Sequence, residues 1–116
     1  MTDTEANIRA SLLKTLSFLA SETQQLEFAE RVPYACYQGE FACWWFDTFF
    51  PDEPSALHMF TAPQLAILRS FSEAFERNFK ALGNTELPLV ELHRRPEWQS
   101  IVCAAREASA NLAGAT

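Results

Sequence analysis

The sequence predicts an all-α chain: a single-domain bundle of four to five helices around one core, spanning residues 1–116. Three observations carry this. Apolar residues recur at i, i+3/i+4 and i+7 in four separate segments. Two Ser/Thr-x-x-Gln signatures, Ser21–Gln24 and Thr61–Gln64, stand directly before apolar stripes. Only three glycines are present, which disfavours a turn-dense sandwich or barrel and a glycine-rich phosphate loop.

In chain order, Ile8, Leu12, Leu13, Leu16, Leu19 and Ala20 form one stripe over 4–20, with Thr4 placed to cap it. Ser21 and Gln24 can begin a second short helix carrying Leu26, Phe28, Ala29 and Val32; alternatively the first helix runs on to about Arg31. Pro33 ends either one, because the residue before proline leaves the α region. In 35–50, Phe41, Trp44, Trp45 and Thr48 share a helical face and strict alternation is absent. The stretch Ala35–Phe50 therefore reads as helix in spite of its strand-favouring aromatics. Pro51 and Pro54 open a loop over 51–60, held down by Leu57, Met59 and Phe60.

The helix over 62–82 is the clearest, with Leu65, Leu68, Phe71, Phe75 and Phe79 on its stripe and Gly83-Asn84 as its stop. The connector 85–95 contains LPLVEL, where a short extended segment near 87–92 stays open. A last helix starts near Pro96, with Trp98, Ile101, Val102, Ala105, Ser109 and Leu112 on one face, and its tail NLAGAT should fray.

Composition narrows the function. A chain of 13.1 kDa buries about two-thirds of its extended surface on folding, leaving about 6,400 Å² exposed. Its 48% apolar content excludes a disordered chain. The net charge of −6 argues against nucleic acid and anionic membranes, which need clustered Lys and Arg. It permits a basic protein partner. No apolar run spans a bilayer, and MTDTEANIRA lacks the features of a signal peptide. Three cysteines without a secretion signal point to reduced, buried thiols and a cytoplasmic location.

Neither a metal site nor a catalytic site nor a cofactor site is expected. Cys36, Cys43, Cys103, His58 and His93 lack CxxC, HxxxH or HExxH spacing. Cys43 lies among carboxylates, which disfavour a thiolate. Asp47, Asp52 and Glu53 as an acid–base pair lack a cleft-forming domain.

The segment EFACWWFDTFFPDEP (40–54) stands out. It holds six aromatics, four carboxylates and no base. No Lys or Arg occurs between Arg31 and Arg69, so this segment carries −4 of the −6. Phe41, Trp45, Phe71, Phe75 and Trp98 are expected in the core. One amphipathic element cannot bury all six aromatics. Trp44, Phe46, Phe49 and Phe50 are left to lie partly outside, beside Glu40, Asp47, Asp52 and Glu53, as interface hot spots do.

QQLEFAERVPYACYQGEFACWWFDTFFPDEP (24–54) followed by MFTAPQLAILRSFSEAFE (59–76) resembles small immunity proteins of bacterial polymorphic toxin and contact-dependent inhibition systems. The likeness covers about half of the chain. It implies a small, cytoplasmic, non-catalytic protein that neutralises a cognate toxin, commonly a nuclease with a basic surface. On that resemblance Glu40, Asp47, Asp52 and Glu53 are the charge contacts, and Trp44, Phe49 and Phe50 the anchors. If Glu40 and Asp47 pack internally, the contact face shifts towards Glu73, Glu76 and Glu86. A helical adaptor domain recognising another protein, or a small ligand-binding protein, fits the same residues. An exposed aromatic patch also allows a homodimer.

Overall fold

Thr2 starts the first helix by a reciprocal cap. Its hydroxyl accepts from the Glu5 N–H at 3.1 Å, and the Glu5 carboxylate accepts from the Thr2 N–H at 2.7 Å. The cap is therefore Thr2 and not Thr4, and α1 runs Asp3–Leu19. The computed structural model describes residues 1–33 and 36–115. Every regular element among them is helical.

Ser21 caps α2 (Glu22–Arg31) through the Gln24 N–H, so the first two helices are separate. α3 spans Tyr37–Phe46; its expected start at Ala35 lies outside the described residues. α4 (Ala56–Met59) is a single turn. α5 (Ala62–Leu82) begins at the Thr61–Gln64 capping box, with Pro63 in its first turn. It ends at Gly83, whose φ of 75° is a left-handed value that suits glycine. α6 (Leu89–Leu92) is a second single turn, and α7 runs Pro96–Gly114.

Among the described residues there are seven helices, where four to five were expected. Five have ten or more residues; α4 and α6 are the additions. α6 also corrects the extended segment near 87–92: Glu91 and Leu92 N–H groups both donate to the Pro88 carbonyl, closing a helical turn. α7 is helical through Gly114, so it takes in most of the NLAGAT tail.

α5 and α7 pack along one another over most of their length. Phe75 meets Trp98 edge-on at 6.2 Å, while the far ends, around Ala66 and Asn111, line one shared groove. The two helices therefore run antiparallel. Phe41, Trp45, Phe71, Phe75 and Trp98 are all buried, as the stripes require. Phe41 and Phe75 flank Trp98 at 6.1 and 6.2 Å, joining α3 to the α5–α7 pair. The folded surface is 6838 Å², close to what the mass requires for a chain with one well-buried core.

One polar residue sits at the centre. Gln25 is fully buried. Its amide donates to Phe18 O at 3.3 Å and Leu19 O at 3.1 Å, two carbonyls in the last turn of α1. Its oxygen accepts from His93 Nε2 at 2.8 Å and Trp98 Nε1 at 3.1 Å. All four hydrogen-bonding positions of the amide are used. Gln25 thereby ties α1, α2, the end of α6 and α7 at one point.

Candidate functional site: the acidic turn after the third helix

α3 ends at Asp47, whose N–H donates to Cys43 O at 2.9 Å. The chain then continues through a series of tight turns. Phe49 N–H bonds to Trp45 O, Glu53 N–H to Phe50 O, and Ala56 N–H to Glu53 O. These turns carry the chain into α4, which is held from α1. Arg9 Nε donates to Met59 O at 3.0 Å, and its guanidinium lies 5.4 Å above the Phe60 ring. His58 Nδ1 meets Glu5 at 2.8 Å. The Thr2 backbone N–H, and then His58, hold the Glu5 carboxyl down at about 2.

The four aromatics expected to lie partly outside separate into three classes. Phe50 is exposed, at 56%. Trp44 and Phe46 are half-buried. Trp44 fills the α1–α2–α3 corner against Phe18 (5.2 Å), Phe28 (5.0 Å) and Phe41 (5.2 Å), and Phe46 lies on Phe75 at 4.9 Å. Phe49 is buried, stacked on Trp45 at 4.9 Å and 29°. The expectation that Phe49 is a surface anchor is therefore corrected. The turn after α3 folds its ring back under the helix, where stacking removes it from water. Leu57 reverses the other way. Ala56 and Phe60, four residues apart, face the core, so Leu57 points out and is 68% exposed. It was expected to hold the loop down.

The carboxylates divide as well. Glu40 is half-buried in the first turn of α3, where a negative charge complements the helix dipole. Asp47 is exposed at the opposite end, where the same dipole disfavours it, and no basic residue occupies that last turn. Asp52 pairs with Arg69 at 2.9 Å, and the same guanidinium donates to Pro51 O at 3.1 Å. Glu53 is exposed, and among the described residues neither it nor Asp47 has an ion-pair partner. Arg69 thus removes one of the four negative charges that the sequence places here. It was missed because it lies 17 residues on, across α4. The signal available was its place as the first base after a long gap. Phe49, Phe50, Pro51, Asp52 and Glu53 line a shallow cleft of about 290 Å³.

The three cysteines are exposed and unpaired, not buried as expected. Cys36 directly precedes α3, and Cys43 and Cys103 sit on the outward faces of α3 and α7. Among the described residues no cluster of three or more His, Cys, Asp and Glu could hold a metal ion. Among the described residues no helix is long and apolar enough to cross a membrane. The chain matches no protein-family model, no curated protein and no solved structure.

Proposed function

We propose that the chain is an immunity protein that binds and neutralises a basic toxin domain through the turn between α3 and α5, with no chemistry of its own. The observation that carries this reading is that Phe50 and Leu57 are exposed on the segment 47–57, which also holds Asp47 and Glu53, two carboxylates with no ion-pair partner among the described residues. Large apolar groups left in water beside unneutralised charge describe a surface that a partner of opposite charge covers. Asp47 adds to this. A carboxylate at the negative end of a helix works against local stability, and departures of that kind concentrate at functional positions.

On this reading Phe50 and Leu57 are the anchors. Asp47 and Glu53 meet Lys or Arg in the toxin, and Asp52 is held by Arg69 as part of the turn. Glu40, Trp44 and Phe49 support the face from within. Inhibition is by occlusion, and opposite charge makes association fast and salt-sensitive.

The test is co-expression with the product of the adjacent upstream reading frame. A basic, growth-inhibitory product should co-purify with the wild-type chain and lose its toxicity. The Asp47→Lys/Glu53→Lys variant should fold normally but protect poorly. A harmless upstream product that does not bind removes the toxin reading. Binding of some other protein through the same face would instead mark an adaptor domain.

A further inference from the structure

We propose that a second surface, the groove between α2 and the segment leading into α6, docks a short apolar stretch of a protein partner flanked by Lys or Arg. This goes beyond the toxin-binding face and does not depend on it. The groove has a volume of about 770 Å³. Leu26 on α2 and Leu87, Pro88 and Val90 on the segment into α6 line it, together with the exposed carboxylates Glu30 and Glu86.

Leu26 and Val90 are exposed because their neighbours are committed inward. Gln25 turns into the core to reach Trp98 and His93, so Leu26, about 100° round the helix, faces water. Leu89 and Leu92 are buried, so Val90 faces water in the same way. Their exposures are 42% and 56%. A polar residue at either position would satisfy the fold equally well. An exposed Leu and an exposed Val lining one open groove therefore call for a cover.

Charge selects that cover. Glu30 and Glu86 are exposed, neither forms an ion pair among the described residues, and no Lys or Arg is among the described lining residues. A second copy would bring a chain of net charge −6 against these carboxylates. An anionic lipid surface would be repelled likewise. A small molecule is disfavoured by the open walls, since such sites enclose most of their ligand. A segment with an apolar centre and basic ends satisfies both the apolar lining and the two carboxylates.

The test titrates two fluorescent peptides into the full-length chain. Each has a Leu-Val-Leu-Val centre, one flanked by Lys-Arg pairs and the other by Glu-Asp pairs. The basic peptide should bind at least about tenfold more tightly, and more weakly as salt rises. Leu26→Ser, Val90→Ser and Glu30→Gln/Glu86→Gln should each weaken it several-fold with unchanged helicity, while Phe50→Ser should leave it unchanged. Equal affinity for both peptides, no binding, or insensitivity to the groove variants overturns the proposal. So does loss of binding in Phe50→Ser, which would assign the peptide to the toxin-binding face. Failure of the co-expression test leaves these outcomes untouched, so the two readings stand or fall separately.

Discussion

The indole N–H of Trp98 donates to the side-chain oxygen of Gln25 at 3.1 Å, inside a site closed to water. The two residues are 73 positions apart, so this bond forms only when α2 and α7 are both in place. Gln25→Ala strands the Trp98 and His93 donors and opens a cavity. Each stranded donor costs about 1–3 kcal/mol. We expect a total loss of about 3 kcal/mol or more in urea unfolding. A loss under about 1 kcal/mol would show that water replaces the amide at no penalty.

His93 adds a pH dependence with a definite sign. Burial lowers its pKa below the ordinary 6.5, and the Glu22 carboxylate, 3.7 Å from Nδ1, opposes this without reversing it. The unfolded chain therefore takes up the proton first as the solution is acidified. Stability should be flat above about pH 6.5 and fall as pH drops below it. Glu5, held at about 2 against an ordinary 4.5, acts lower down, its contribution fading as pH falls from 4.5 through 2. Urea midpoints at neutral and mildly acidic pH measure the first step. His93→Gln should flatten it.

Adjacent phenylalanines give a direct test of the turn. Phe49→Ala removes a ring stacked on Trp45 in the core and should cost about 3–5 kcal/mol. Phe50→Ala removes an exposed ring and should fall within about 0.5 kcal/mol of wild type. Thermal unfolding of both variants decides it. Equal effects would mean that the turn adopts a different register in solution.

The contrast between these neighbours marks where the sequence was informative. Phe71, Phe75 and Trp98 were legible as core because the long helical stripes of α5 and α7 repeat the same direction several times over. Thr61 with Gln64 and Ser21 with Gln24 were legible as caps because capping is local. α4 and α6 were not, since a single turn has no period to detect and forms only under tertiary packing. Gln25 was invisible for a different reason. A polar side chain is buried only when partners satisfy it, and His93 and Trp98 lie 68 and 73 residues away. The acidic segment at 40–54 was correctly seen as an unbalanced run of charge, but which carboxylates stay free depended on where α5 places Arg69.

That placement yields the last prediction. Arg69 bridges Asp52 and the Pro51 carbonyl, fixing the start of the turn to α5. Both side chains are largely exposed, at 45% and 91%, so the ion pair itself contributes little to global stability, about 0–1 kcal/mol. Its effect should be local. In Arg69→Ala the unfolding midpoint should barely move, while the amides of Glu53 and Ala56, bonded within the turn to Phe50 O and Glu53 O, exchange faster with solvent. Both bonds come from one nitrogen, Nη2, so an ammonium in its place can make them, and Arg69→Lys should restore most of the protection. Unchanged exchange at those two amides in Arg69→Ala would mean that the turn's own hydrogen bonds suffice to hold Phe50 outward, with Arg69 reduced to neutralising Asp52.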